Sequence, residues 1–191
     1  MTTDRSAAIV LVITGPSGVG KGTVVTALRQ RRPDLWLSVS ATTRTPRPGE
    51  VPGQHYSFVA PAEFDRMRDT GQLLESAQFA GNWYGTPAAP VRQRLAEGRS
   101  VILEIEVEGA RQIRRAMPEA TFVFLIPPSA DELRARLEGR GTEDADALAR
   151  RLARAEHELG MTAEFDHVIV NDDVDRVVDA LVELIPEPSR Q

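Results

Sequence analysis

Four short runs along the chain are almost wholly apolar: Ile9 to Ile13, Val101 to Ile105, Thr121 to Ile126 and Val168 to Val170. Each is too short for a helix, and the pattern predicts strands, the first three of them buried. Between and after them the apolar positions recur at helical spacing. Helices are predicted over Lys21 to Arg31, with Val24, Val25 and Leu28 as the inner face, and over Pro87 to Glu97, Val107 to Met117, Ser129 to about Arg140, and Val174 to Ile185. Pro33 stops the first and Gly98 the second; Asp131 and Glu132 lie in the first turn of the helix after Ser129, where the helix dipole favours anions. Buried strands alternating with helices predict an α/β fold whose core is a parallel sheet with helices on both faces. Two stretches fit that rhythm poorly. Residues 35–90 alternate only weakly, with turn signals at Pro46, Pro48, Pro52 and Gly53, a helix over Ala62 to Thr70, a strand over Leu73 to Phe79 and a turn at Tyr84-Gly85-Thr86. A highly charged helix from about Asp144 to Leu159 carries one apolar stripe, Leu148, Leu152, Ala155 and Leu159. Both read as insertions or lids over the core.

A length of 191 residues suits one domain, and 41% hydrophobic and 27% charged residues are ordinary for a globular chain. The formal net charge of -5 argues against non-specific nucleic-acid binding, which needs a basic surface. The absence of cysteine excludes disulfides, thiolate metal sites and cysteine nucleophiles. No apolar run approaches the roughly 20 residues of a membrane span, and residues 1–8 lack the apolar stretch of a signal peptide, so a cytoplasmic location without membrane association is expected. His55, His157 and His167 share no spacing that suggests a metal site or a triad. The sharper feature is 22 arginines beside a single lysine, Lys21. A chain that uses arginine everywhere else has one place where arginine does not serve.

That place is Gly15-Pro16-Ser17-Gly18-Val19-Gly20-Lys21, which follows a strand, opens a helix and has the glycine-lysine spacing of a phosphate-binding loop. Such a loop turns successive backbone N–H groups toward phosphate oxygens, and the helix behind it presents its positive end to the same anion. Lysine then reaches the β- and γ-phosphates as a compact point charge, where arginine's wide planar fork would not pack. The usual pattern places Ser or Thr after the lysine to ligate Mg²⁺. Here Gly22 stands in that position and Thr23 follows. Either Thr23 takes the role or the ion is held through water, which Mg²⁺ readily keeps.

Residues 38–47 read S-V-S-A-T-T-R-T-P-R. Two arginines three apart beside hydroxyls and a proline turn suit bidentate binding of a phosphate dianion. With the phosphate loop, this segment resembles the guanylate kinases. The matching stretches are Gly15 to Lys21, Ser38 to Glu50, Tyr56 and Phe58, Glu75 and Phe79, Gly81 to Thr86, Pro127-Pro128-Ser129, Leu137 to Thr142, and Asn171-Asp172-Asp173. They span nearly the whole chain, and the segment at 38–50 is not shared by adenylate kinases. The resemblance implies a P-loop NTPase-type core at about 5–34, 88–138 and 160–191, a mixed α/β nucleoside-monophosphate-binding subdomain at 35–87 and a helical lid at 139–159. It implies phosphoryl transfer from ATP to GMP with Mg²⁺, with dGMP as a further acceptor. Arg44, Arg47, Tyr56 and Tyr84 would hold the GMP phosphate, and Ser40, Glu75 and Thr86 would read the guanine. The chemistry agrees: a carboxylate accepts from guanine N1–H and the exocyclic amine, whereas adenine offers no donor at N1.

Glu104 and Glu106 close the second apolar strand, two apart and so on one face of the sheet. Ligands of open parallel sheets sit beyond the carboxyl ends of the strands, which places Glu104 like the acid that holds Mg²⁺ through water in P-loop enzymes, with Glu106 nearer the acceptor. The family often carries aspartate at one or both positions. Arg136 and Arg140 share a helix face, and Arg151 edges the charged helix's apolar stripe. The resemblance gives these three the transferring phosphoryl group, and sets Asn171 and Asp172 near the adenine of ATP. Two other readings stay open: a P-loop kinase of another phosphate ester, such as a sugar phosphate, since adenylate kinases also carry Gly-Thr after the lysine, and a non-catalytic guanylate-kinase-like binding module.

Overall fold

The computed structural model describes residues 8–138 and 145–187. Two sheets organise them. The larger has five parallel strands in the order β2 (Trp36–Leu37), β7 (Val101–Glu104), β1 (Val10–Thr14), β8 (Thr121–Ile126), β9 (His167–Val170). The side-chain period of two divides β1 between two cores. Leu11 and Ile13 face a cluster with Val24, Val25 and Leu28 of α1 (Lys21–Arg31) and Val177, Val178 and Leu181 of α7 (Val174–Glu183). Val10 and Val12 face the opposite cluster with Phe122, Val91 of α3 (Ala88–Ala96), and Ala110 and Ile113 of α4 (Val107–Ala116). Helices therefore cover both faces of the inner strands, whereas the edge strand β9 leaves Val168 and Val170 exposed.

The smaller sheet is mixed, in the order β4 (Ser57–Phe58), β3 (Ala41–Thr42), β6 (Asn82–Pro87), β5 (Leu73–Phe79), and α2 (Pro61–Asp69) buries Phe64 beneath it. Here the structure corrects the turn expected at Tyr84-Gly85-Thr86. Those residues lie within β6, and the chain reverses at Ala80-Gly81, both with positive φ, joining Phe79 to Asn82 across a two-residue hairpin loop. Gly85 belongs in the strand because the backbones crowd there: a Cβ would lie 2.9 Å from both the Glu75 carbonyl oxygen and Leu73 Cδ1, and 3.1 Å from Phe64 Cζ.

The remaining helices are α5 (Ala130–Glu138) and α6 (Ala145–Leu159). Ser129 caps α5, its Oγ accepting from Glu132 N at 3.1 Å. Leu148, Leu152 and Ala155 of the predicted stripe pack on Leu133 and Leu137 of α5. Among the described residues no helix is long and apolar enough to cross a membrane.

Candidate active site

The loop from Gly15 to Gly20 joins the end of β1 to α1 and is held on several sides. Gly18 and Gly20 have φ of 86° and 102°, and a Cβ on Gly20 would come within 2.8 Å of Asn171 Nδ2. A side chain is thus opposed twice over, by backbone conformation and by space. Asn171, just beyond β9, is buried and donates from Nδ2 to the Val19 carbonyl at 2.7 Å. Arg136 of α5 donates to the carbonyls of Val19 at 3.0 Å and Asn171 at 3.1 Å, while pairing with Glu132. Arg151 of α6 donates to Ser17 Oγ at 2.9 Å. Two of the three arginines expected around a phosphoryl group therefore brace the loop itself; the third, Arg140, lies outside the described residues. Asp172 sits beside Asn171 and pairs with Arg176 at 3.1 Å.

Lys21 Nζ donates back to the Gly15 carbonyl at 2.6 Å and stands 3.9 Å from Glu106 Oε1. Both predicted acids address it. Glu104 ends β7 with its carboxyl raised above the ordinary range by burial, which the nearby Lys21 charge opposes and Glu106 reinforces. Glu106 lies beyond the strand, at the N-cap of α4. A Cβ on Gly22 would stand 3.7 Å from Glu104 Oε1, so Glu104 faces the position where a hydroxyl usually sits. Thr23 is exposed on the next step of α1.

A cavity of about 240 Å³ opens between this loop and the second sheet. Lys21, Glu104 and Glu106 line one side, and Ser40, Arg44, Arg47, Tyr56, Glu75 and Tyr84 the other. Residues from both sheets thus meet as the spacing alone could only suggest. Ser38, His55, Ala77 and Phe79 share the wall without having been singled out for it. Another depression, beside Arg111, Arg114 and Arg115, is crossed by the Arg111–Glu164 and Arg114–Asp166 ion pairs and contains none of the predicted residues.

Glu50, within the matching segment at 38–50, is a residue to which sequence reasoning assigns no role of its own. Its carboxylate grips Arg44 with both oxygens, at 3.0 and 2.8 Å, and also accepts from Arg47 N at 2.7 Å. Arg44 holds its carboxyl far below the usual range, at about 2, with the Arg47 N–H adding to the effect. Glu50 in turn raises Arg44. The guanidinium lies 5.3 Å from the Tyr56 ring centroid and 5.7 Å from that of Phe58. Arg44 gives two donor contacts to Glu50 and one to the Thr45 carbonyl, and Tyr84 adds a further side-chain hydrogen bond. The signal was the spacing of Arg44, Arg47 and Glu50 around one proline-glycine turn.

Glu75 is only 5% exposed and accepts at Oε1 from Thr86 Oγ1 at 2.7 Å. Burial pushes its carboxyl up to about 7; the Thr86 bonds oppose the rise and Glu106 adds to it. Thr86 is fully buried behind it. Arg154 of α6 is a second residue missed: it reaches Glu106 at 3.7 Å, Glu158 at 2.8 Å and the Phe79 ring at 4.6 Å. It lies three residues from Arg151, a spacing that puts both on one side of the helix.

The chain matches the family model described as guanylate kinase over residues 7–187. It is 56% identical over 184 residues to the guanylate kinase of Synechococcus sp. (strain CC9311), covering 96% of this chain and 95% of that protein. It is 57% identical over 180 residues to that of Thermobifida fusca (strain YX), covering 94% and 92%. The crystal structure of guanylate kinase from Anaplasma phagocytophilum superposes with a TM-score of 0.78 at 32% identity, over 94% of this chain and 85% of that one. The match runs over nearly the whole length of this chain, and the chain belongs to the guanylate kinase family.

Proposed function

We propose that this chain transfers the γ-phosphoryl group of ATP to GMP, giving ADP and GDP, in cytoplasmic guanine-nucleotide metabolism. The observation that carries the reading is the cavity that joins Lys21 of the phosphate loop to Arg44 and Arg47 of the loop after β3 and to Glu75 of β5. An oxygen of the GMP phosphate attacks the γ-phosphorus, the bond from that phosphorus to the β–γ bridging oxygen breaks, and ADP leaves. No side-chain nucleophile is needed; positioning and charge neutralisation do the chemistry.

Residues 15–23 would cradle the ATP phosphates, with Lys21 turning from the Gly15 carbonyl to the β- and γ-oxygens, and Asn171 and Asp172 would flank the adenine. Arg44, Arg47, Tyr56 and Tyr84 would hold the GMP phosphate, with Glu106 beside it. Ser40, Glu75 and Thr86 would read the base. Arg136, Arg140 and Arg151 would serve the transferring group. The oxygen donors beside the loop, Glu104 and the Thr23 hydroxyl, suit a hard cation, and the space over Gly22 suits one that keeps its waters. Mg²⁺ bound with ATP there would neutralise phosphate charge. On this reading, 5–34, 88–138 and 160–191 form the core, to which β2 adds a strand, 35–87 the acceptor-binding part and 139–159 the lid.

The test is ADP release with ATP and Mg²⁺ against GMP, dGMP, AMP, UMP, CMP and a panel of sugar phosphates. Strong preference for GMP and dGMP is expected. Faster turnover of AMP, UMP or a sugar phosphate would overturn the acceptor assignment, and no turnover by folded protein would overturn the reaction.

A further inference from the structure

Inside a helix glycine is less favourable than alanine, because it loses more backbone freedom and packs nothing. Gly109 nevertheless stands buried in the first turn of α4, without the positive φ that would require it. What a side chain would meet there is specific. A Cβ would fall on Glu75 Oε2, 3.0 Å from Glu75 Cδ and 3.5 Å from its Cγ. The three nearest atoms all belong to one side chain, the carboxylate that faces the cavity, and none to the strand's backbone.

We propose that Gly109 is a specificity-determining position: the room left by its missing side chain is the slot in which the Glu75 carboxylate stands to read the acceptor's base. The inference rests on the guanine-reading role given to Glu75 above. Neither wall of the slot can yield easily. On one side, Thr86 is fully buried and hydrogen-bonded to Glu75 Oε1. On the other, α4 is tied to β5 one residue beyond Glu75. Gln112 Nε2 donates to the Ser76 carbonyl at 2.7 Å, and Gln112 Oε1 accepts from Ser76 N at 3.0 Å. This double bridge copies a strand partner and sets the distance between helix and strand. A methyl group at position 109 cannot push α4 away from β5 without breaking it. The carboxylate must give way instead, leaving Thr86 and turning out of register with the base. Gly109 is therefore a positioning residue, acting through Glu75.

The experiment compares Gly109→Ala, Glu75→Gln, Glu75→Ala and the double variant Gly109→Ala/Glu75→Ala for steady-state kinetics and thermal unfolding. Gly109→Ala is expected to raise KM for GMP about tenfold to a hundredfold, as a misplaced binding group does. KM for ATP should stay within about twofold, and the melting temperature should hold or rise with the better helix former. A simple packing defect would instead lower the melting temperature and disturb both substrates. In the Glu75→Ala background, the same alanine should add nothing to KM for GMP. If Gly109→Ala binds GMP like the parent while Glu75→Gln does not, the proposal is overturned and the reading of Glu75 stands. If Glu75→Gln also binds GMP normally, the reading itself fails. Should Gly109→Ala not fold, the double variant, with the carboxylate gone, is expected to fold; its failure would overturn the proposal.

Discussion

The two walls of the cavity are built by different means. The donor wall is mainly backbone: a loop whose conformation is set by glycines, with one lysine and bracing contacts from Asn171, Arg136 and Arg151 to Val19 and Ser17. The acceptor wall is side chain on side chain. Arg44 is clamped by Glu50, Glu75 is bonded to Thr86, and Tyr56 stands edge-on to Tyr84 with ring centroids 5.9 Å apart. A backbone site serves any polyphosphate, because N–H groups and a helix end recognise charge. A side-chain site reads one base, because each polar group must find its own complement. On the proposed reading, the general half of the reaction rests on chain geometry and the selective half on buried polar contacts.

The largest break in this comparison should come from Lys21→Ala. Turnover is expected to fall about a thousandfold, with thermal stability little changed and GMP binding retained by calorimetry. Loss of GMP binding would mean that the two walls are not separable. Next, Glu75→Gln should lower kcat/KM for GMP by about a hundredfold or more while KM for ATP holds.

Acidity should act on the acceptor wall through the same group. Glu75 holds its proton up to about pH 7 in the folded chain, against a reference of 4.5. Only the ionised form accepts from both guanine donors, so KM for GMP should rise about tenfold per unit well below pH 7. The Glu75→Gln variant should keep only the dependence that belongs to the GMP phosphate. Stability carries the opposite sign. Between 4.5 and about 7 the unfolded chain has released this proton and the folded chain has not, so the group subtracts stability as pH rises through that window. Glu75→Gln should flatten that part of the pH–melting curve.

Smaller effects sharpen the picture. Glu50→Gln keeps an acceptor near Arg44 but loses the charge; KM for GMP should rise about tenfold, with ATP unaffected. Arg154→Ala should cost about threefold in turnover, as a partly exposed group does. A larger loss would make α6 part of the acceptor wall.

The phosphate loop was legible because its residues are contiguous and its spacing follows from phosphate geometry. Most of the core sheet was legible too, since its inner strands are apolar at almost every position. The second sheet was harder. Gly85 looks like a turn residue until β5, Leu73 and Phe64 crowd it, and only then does β6 read as a strand. Glu50 carries no signal in isolation; its role appears when the turn folds its carboxylate onto Arg44. Gly109 is similar: in sequence it is a weak point in a helix, and in space it is the floor beneath Glu75.

By itself the sequence determined the architecture, the position of the phosphate loop and the family, because periodicity, spacing and a shared run of residues are properties of a linear chain. The tertiary structure decided which side chains face one another across the cavity. It turned Arg136 and Arg151 toward the loop, gave Glu50 its partner and raised the Glu75 carboxyl. Those outcomes depend on burial and on contacts between residues far apart in the chain, and such quantities exist only once the chain has closed on itself.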